Sequence, residues 1–246
     1  MSLFLMMIFA NSMMVKDTNF LERQIAFSRV DAAMEKNYQR IEKQCEKTGL
    51  DKFSEVYLRA FKEEKLLEIW KWNGEKYVLY DTFPICYTSG ILGPKKKQGD
   101  QQVPEGFYEI KVFNPVSNYH LSLGLNYPNK RDEIVNKAPR GGDIYIHGMC
   151  VSVGCLAMEN SPIEEIYIVA MLAKAAGQKT IPVHIFPFKM TEQNIKKYTQ
   201  TSFIFLNNFW RLIQPAYTYF EKNKKLPEVS VDSKGCLLYT SPSPRD

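Results

Sequence analysis

A histidine and a cysteine stand eight residues apart in the segment 143–155, which reads DIYIHGMCVSVGC. A short apolar strand leads to His147, and a tight Ser-Val-Gly-Cys turn presents Cys155. A thiol attacks a carbonyl as its thiolate, and a neighbouring imidazole can accept the proton. Gly154 allows a sharp turn, and backbone N–H groups beside Cys155 can hold an oxyanion. The pattern therefore predicts acyl transfer through a thioester.

The composition sets limits on the class of protein. With 246 residues, of which 45% are hydrophobic and 24% charged, the chain can build one sizeable core. The net charge of +5 is spread along the chain, so it does not indicate nucleic-acid binding, although it is compatible with an anionic polymer. The five cysteines form no CxxC pair, and the three histidines lack zinc-ligand spacing. Neither a metal site nor a disulfide framework is predicted.

The first fourteen residues differ from the rest. Residues 2–14 are apolar and uncharged, and they are too few to span a bilayer as a helix. They resemble the core of a secretory signal, with small residues at 10–12 where a signal peptidase would cut, although no basic residues precede them. We therefore expect residues 1–14 to direct export and to bring the chain near a membrane. The alternative is a buried or disordered apolar terminus.

An N-terminal helix and a β-rich domain follow from hydrophobic periodicity. Within residues 15–50, apolar residues recur at helical spacing from Phe20 to Cys45, and Gly49 suits the position after a helix. Residues 51–190 contain strand-like runs, and Asn73-Gly74 predicts a hairpin. The predicted strands lie at 56–61, 65–72, 77–80, 85–87, 107–113 and 181–188.

Helices are predicted after the Cys155 turn and in the C-terminal part of the chain. Ser161-Pro162-Ile163-Glu164 reads as a capping box that begins a helix over 162–176, which stops at Gly177. Residues 191–235 form an aromatic-rich extension with one or two helices. The fold class is therefore α+β. Residues 236–246, CLLYTSPSPRD, look like a translated sequencing adapter, so we expect the natural chain to continue differently past Gly235; a natural disordered tail is the alternative.

Several motifs together resemble one family. The chain is similar to the YkuD-type L,D-transpeptidase catalytic domain family, and within it to the YafK-like branch, over about residues 20–235. The motifs that carry this resemblance are YLRAFKEEKLLEIW at 57–70, LGPKKKQGD at 92–100, VPEGFY at 103–108, YHLS at 119–122, NYPN at 126–129 and IHGMCVSVGCLAM at 146–158.

The resemblance implies a fold and a set of roles. The fold would be a β-rich, mixed-sheet sandwich, and the substrates would be diaminopimelate-containing stem peptides of peptidoglycan. Cys155 would be the nucleophile, and His147 the general base that later protonates the leaving amine. The Gly148 carbonyl would orient the imidazole, and the N–H groups of Gly154 and Cys155 would form the oxyanion hole. Ser152 would steady the turn or touch substrate.

The sequence departs from the common family pattern around the cysteine. Val153 replaces a frequent histidine, residues 156–158 lack the usual arginine or asparagine, and the gap between His147 and Cys155 is short. The cysteine chemistry is left intact, but the acceptor is open between water and an amine. The resemblance implies no metal or organic cofactor and a place in the bacterial periplasm or cell envelope, where a lipoprotein attached to the wall is a further candidate partner.

Other residues near the motif are assigned to substrate contact, structure or packing. Tyr119, Tyr127 and Arg140 are predicted to line the substrate groove. His120 is equally compatible with a structural role and with substrate contact. Cys150 is predicted to pack in the interior, and the alternative is a redox partner that forms a disulfide with Cys155.

Two other classes of function stay open beside the enzyme. One is a non-catalytic cell-wall-binding module on the same fold, although binding alone needs no pair of nucleophile and base. The other is a redox protein that uses Cys150 and Cys155. Lys95-Lys96-Lys97 is predicted to be a solvated loop, with binding of a stem-peptide carboxylate as the alternative.

Overall fold

A computed structural model describes residues 14–200 and 204–240 of the chain. Most of the predicted signal segment and the last six residues of the suspected adapter segment therefore lie outside the described residues. The helices are α1 (Thr18–Ile25), α2 (Ser28–Thr48), α3 (Lys130–Val135), α4 (Asn160–Ala175), α5 (Glu192–Thr199) and α6 (Asn207–Asn223), with a 3-10 turn at Ile204–Leu206. The strands are β1 (Val56–Phe61), β2 (Leu66–Trp72), β3 (Tyr77–Pro84), β4 (Gly106–Asn114), β5 (Ser122–Leu125), β6 (Tyr145–His147), β7 (Leu156–Ala157), β8 (Pro182–Phe186), β9 (Glu228–Val231) and β10 (Leu237–Thr240).

Eight strands form one mixed sheet in the order β3-β2-β1-β8-β4-β5-β6-β7. The pairs β1–β8 and β6–β7 are parallel, and the other neighbours are antiparallel. The predicted hairpin joins β2 to β3, where the Asn73 side chain accepts hydrogen bonds from the N–H groups of Glu75 and Lys76. The predicted α+β, β-rich mixed-sheet fold with helices before and after the sheet is confirmed.

Helix α4 is the centre of the core. Twelve of its sixteen residues are buried, and it contacts the helix α2 as well as strands β1, β5 and β6. A helix that is apolar on nearly every side needs cover on more than one side, and here the sheet and α2 supply it. Because α4 follows directly on the Cys155 turn, the most buried helix anchors the segment of chemical interest.

The predicted N-terminal helix is in fact two helices. The chain leaves α1 after Ile25 and enters α2 at Ser28, with Phe27 in an extended conformation between them. The apolar spacing continues across this break, which is why periodicity alone did not reveal it. The predicted stop is confirmed, since Gly49 adopts the left-handed conformation with φ of 68°.

The predicted capping box before α4 is wrong. The helix begins two residues earlier, after Glu159, and no side chain caps its first turn. The Glu164 carboxylate instead contacts Lys36 Nζ at 2.6 Å and His120 Nε2 at 2.8 Å. The Glu164 carboxylate therefore forms tertiary contacts with Lys36 and His120 instead of capping the first turn of the helix.

The C-terminal helices are confirmed, and an ion pair made by the buried Arg59 side chain docks α6 on the sheet. The guanidinium of Arg59 on β1 contacts Glu68 at 2.7 Å and Glu221 of α6 at 2.6 Å. Strand β10 pairs with β9, but the expectation that residues 236–246 are foreign stays a prediction. Within residues 14–200 and 204–240, no helix is long and apolar enough to cross a membrane.

Candidate active site

Two short parallel strands place the histidine beside the cysteine. On β6 and β7, Ile146 lies opposite Leu156 and His147 opposite Ala157. Cys155 directly precedes β7, and its Sγ accepts a hydrogen bond from the Tyr145 N–H at 3.3 Å. Cys155 and Ala157 are two residues apart, so their side chains share a face, and Ala157 lies opposite His147. The imidazole and the thiol therefore lie on the same side of the sheet.

The imidazole and the thiol open into one cavity of about 620 Å³. A cavity of this size accommodates a small ligand or a peptide segment. Its lining brings together four residues predicted to act on or contact substrate, namely Cys155, His147, Ser152 and Tyr119. The remaining lining residues are Tyr87, Asn114, Ser117, Asn118, Ser122, Asp143, Tyr145, Cys150, Val151 and Val153.

The His147 ring is held in one orientation by its backbone neighbour. Its Nδ1 lies 2.7 Å from the Gly148 carbonyl oxygen, and because a carbonyl only accepts, Nδ1 donates the proton. Nε2 is then the nitrogen that can accept a proton. Burial lowers the pKa of His147 below its ordinary value of 6.5, although the bond to Gly148 opposes that shift. The geometry matches the orienting role predicted for the Gly148 carbonyl.

Position 148 has room only for glycine. A Cβ there would lie 2.8 Å from Asn160 Oδ1, 2.9 Å from the His120 Cβ and 2.9 Å from the Tyr119 carbonyl oxygen. Asn160 also accepts a hydrogen bond from the Met149 N–H at 3.0 Å. The first residue of α4 therefore holds the backbone just after the histidine, a role that the sequence did not reveal.

Cys155 carries a free, half-buried thiol. Burial raises its pKa above the ordinary value of 9.0, and the hydrogen bonds from Tyr145 and Ser152 only partly offset this. A raised thiol pKa beside a lowered imidazole pKa favours a neutral pair over a thiolate–imidazolium pair. For the sulfur to react as a thiolate, its proton would have to move to a base such as Nε2.

Two serine hydroxyls hold the turn that presents the thiol. Ser152 Oγ accepts from the Cys155 N–H at 2.9 Å and donates to the Cys155 carbonyl at 3.0 Å. Ser89 Oγ accepts from the Gly154 N–H at 2.7 Å, and Gly154 has a φ of 89°. In the free protein, both N–H groups predicted for the oxyanion hole therefore donate hydrogen bonds to serine hydroxyls. A substrate oxygen would have to replace them.

The predicted groove residues separate into two groups. The Tyr119 ring lies 4.7 Å from the His147 ring, between centroids, and lines the cavity. Tyr127 and Arg140 do not line it. Tyr127 is buried and donates to the Arg140 carbonyl at 3.3 Å, while the Arg140 guanidinium donates to backbone carbonyls, including that of Asn136 at 3.1 Å. Their predicted contact with substrate has no support in this cavity.

Both readings of Cys150 are wrong. Cys150 forms a disulfide with Cys86, with the two Cα atoms 5.7 Å apart. It is therefore neither a free packing thiol nor a partner for Cys155. The pairing of Cys150 with Cys86 was not predicted, because the two cysteines lie 64 residues apart and no local pattern links them.

Other ionisable residues near the motifs have structural partners. Lys95 is buried and its Nζ lies 2.6 Å from Asp100, so it is not the solvated residue that was predicted. His120 pairs with Glu164 at 2.8 Å, which favours its structural role. Among the described residues, no group of three or more histidine, cysteine, aspartate or glutamate side chains could hold a metal ion.

Comparison with known proteins matches this region to a family. Residues 55–185 match the profile of YkuD, the L,D-transpeptidase catalytic domain. The "Putative L,D-transpeptidase YafK" of Escherichia coli K12 is 41% identical over 180 residues, which cover 72% of this chain and 71% of that protein. The same protein of E. coli O157:H7 gives the same values.

Two solved structures align with this chain at low sequence identity. The helical cell shape determining protein Pgp2 of Campylobacter jejuni aligns with a TM-score of 0.43 at 20% identity, over 78% of this chain and 80% of that one. Bd1075 of Bdellovibrio bacteriovorus aligns with a TM-score of 0.41 at 24% identity, over 70% of this chain and 61% of that one.

Proposed function

Because this chain belongs to the YkuD family of L,D-transpeptidase catalytic domains, we propose that it is a peptidoglycan-remodelling cysteine enzyme. Its substrates would be stem peptides that contain diaminopimelate. One observation carries the proposal: the free thiol of Cys155 and a His147 imidazole whose Nδ1 is fixed by a carbonyl open into the same cavity. This is the arrangement of an activated nucleophile with an oriented base.

The reaction runs through an acyl-enzyme. Cys155 Sγ attacks a carbonyl carbon of the stem peptide while its proton passes to His147 Nε2. The carbonyl oxygen becomes an oxyanion and accepts hydrogen bonds from the N–H groups of Gly154 and Cys155. It replaces the serine hydroxyls that accept these bonds in the free protein. The intermediate collapses, the C–N bond breaks, and the proton on Nε2 leaves with the amine. A thioester is left on Cys155.

Water or a second amine resolves the thioester. In either case His147 accepts a proton from the acceptor, and Cys155 leaves as the thiol. Water gives hydrolysis and an amine gives transpeptidation. Tyr119 and Ser152 line the cavity and would contact the peptide on either route. Among the acyl donors we include stem peptides that carry a wall-attached lipoprotein.

We place the enzyme in the bacterial cell envelope, where its substrate lies. The Cys86–Cys150 disulfide supports this location, because such bonds persist in oxidising compartments and are rare in the cytosol. The signal-like character of residues 2–14 supports export independently of the disulfide.

The test combines intact-protein mass with product analysis. Wild type, Cys155→Ala and Cys236→Ser are incubated with diaminopimelate-containing muropeptides, with and without an amine acceptor. We expect a covalent adduct on wild type and on Cys236→Ser, which removes an exposed free thiol, and none on Cys155→Ala. Exchanged products would establish a transpeptidase, and release without exchange a hydrolase. If the folded wild type gives no adduct and no product, the proposal fails and a cell-wall-binding module becomes the better reading.

A further inference from the structure

A short segment, residues 86–89, crosses the turn 148–155, and we call it the strap. The strap is joined to the turn and to the strand after it at three places. The Cys86–Cys150 disulfide is the first. Backbone hydrogen bonds with Ala157 are the second, at 2.9 Å from the Cys86 N–H and at 3.2 Å to the Tyr87 carbonyl. The third is the hydrogen bond that the Ser89 hydroxyl accepts from the Gly154 N–H.

The disulfide is the link that holds the middle of the turn. The residues on either side of Cys150 are poorly buried: Met149 is 45% exposed and Val151 56%. Met149 also has a positive φ of 62°, a conformation that a non-glycine residue adopts only when its surroundings impose it. Burial contributes little to order here, so the disulfide is the covalent restraint on the middle of the turn, beside the hydrogen bond from the Met149 N–H to Asn160.

The same turn must place the reacting groups. Cys150 lies between His147 and Cys155, and all three line the cavity. The N–H groups of Gly154 and Cys155 come from the turn itself. A displacement of about 1 Å in such groups is enough to reduce a rate roughly 100-fold.

We propose that Cys86 and Cys150 are positioning residues for acylation of Cys155, and that the turn is competent only when their disulfide is closed. The inference rests on the proposed function and adds a redox condition to the same site. Closure also removes the Cys150 thiol from the cavity, so that Cys155 is the free thiol there.

The redox step is an ordinary thiol–disulfide exchange. On closure, the two cysteine thiols lose two electrons and two protons to a disulfide oxidant, which becomes a dithiol. On opening, a dithiol reductant gives two hydrogens to the two sulfurs and becomes an intramolecular disulfide itself. Cys155 takes no part in either direction.

The experiment compares two reactions of Cys155 in the same protein. Acylation by a carbapenem needs the turn to hold the oxyanion, whereas alkylation by iodoacetamide needs only a reachable thiolate. In the double variant Cys86→Ser, Cys150→Ser we expect acylation to slow about 100-fold, while alkylation of Cys155 does not slow. Cys236→Ser is the control for loss of a thiol elsewhere, and it should acylate at the wild-type rate.

A second measurement tests the same proposal if the double variant does not fold. Folded wild type is treated with a dithiol reductant, the reductant is removed, and mass after thiol trapping verifies that the disulfide has opened. We expect slow acylation and recovery on reoxidation, with an unchanged circular dichroism spectrum. Wild-type acylation with the bond open would overturn the proposal, as would global unfolding, because the bond would then serve stability alone. A wild type that never acylates would instead contradict the proposed function.

Discussion

At the scale of single residues, the protonation of two side chains sets the pH at which the site works. Burial lowers the pKa of His147 below 6.5 and raises that of Cys155 above 9.0. The base must be unprotonated, so acylation should rise with pH through a midpoint below 6.5 and then stay level towards neutrality. The pH profile of carbapenem acylation measures this limb.

The alkylation profile of Cys155 separates a neutral pair from an ion pair. If thiol and imidazole are both neutral, alkylation by iodoacetamide should rise with a midpoint above pH 9. A thiolate stabilised by an imidazolium would instead be alkylated rapidly near or below neutral pH. Rapid alkylation at pH 6 would therefore contradict the protonation states inferred from burial.

A second residue-scale prediction concerns the ring that covers the base. Tyr119 packs against His147 with centroids 4.7 Å apart, and burial is the cause of the lowered pKa. Tyr119→Ala admits water to the imidazole and should move the acid limb of the profile upward, towards 6.5. Tyr119→Phe keeps the ring and should leave the limb where it is. If the acid limb has the same midpoint in both variants, the Tyr119 ring does not set the pKa of His147.

The site was predictable where its residues are contiguous. His147, Gly148, Ser152 and Cys155 lie in one motif, and the structure brings the imidazole, the thiol and the Ser152 hydroxyl to one cavity. Cys86 and Ser89 reach the turn from a distant segment and were not predicted, because no local pattern marks them. Asn160 lies only 11 residues after Met149, but no pattern marked its contact with the turn either.

At the scale of elements, a glycine between strand and turn tests how tightly the base is held. A Cβ at position 148 would meet Asn160 and two atoms of residues 119 and 120 at under 3.0 Å. Gly148→Ala should therefore cost about 1–3 kcal/mol of unfolding free energy by overpacking, and it should slow acylation. Denaturant unfolding and acylation rates measure the two effects.

A nearby glycine provides the matched control. A Cβ added at Gly142 would meet nothing within 4 Å, and the backbone there does not have the left-handed φ that disfavours a side chain. Gly142→Ala should leave both stability and acylation close to wild type. If the two variants behave alike, the close packing around position 148 does not restrain the histidine.

Periodicity predicted the elements better than their ends. Apolar alternation located β1, β2, β3, β4 and β8, because this signal is averaged over several residues. The predicted strand at 85–87 is wrong, since only an isolated bridge at Tyr87 forms there, and the short strands β5, β7, β9 and β10 were not predicted. The start of α4 was missed because Glu164 binds Lys36 and His120, which come from distant parts of the chain. A capping pattern is local, so longer-range ion pairs override it.

At the scale of the whole molecule, a buried lysine joins the sheet to the loop that follows the strap. Lys62 Nζ contacts Glu105 at 2.9 Å and the carbonyls of Ile91, Gly93 and Val103 at 2.9–3.0 Å. Lys62→Met would leave the buried Glu105 carboxylate without its cation and should cost about 3–5 kcal/mol. Thermal or denaturant unfolding measures the loss.

An exposed lysine–glutamate pair is the control for Lys62. Lys111 pairs with Glu109, but its side chain is 57% exposed, against 4% for Lys62. Lys111→Met should change stability by about 0–1 kcal/mol, because water screens an exposed pair. Similar losses in the two methionine variants would mean that burial does not set the importance of the Lys62 network.

Helix α4 also fixes a distance between two ends of the protein. Its first residue, Asn160, holds the backbone beside His147, and its last, Ala175, accepts hydrogen bonds at 2.9 Å from the N–H groups of Lys16 and Asp17. Sixteen helical residues span about 24 Å. The helix is thus a rigid spacer. Anything attached ahead of Lys16 is therefore separated from the backbone beside His147 by the length of this helix, so a tether there would hold the Cys155 turn away from the point of attachment.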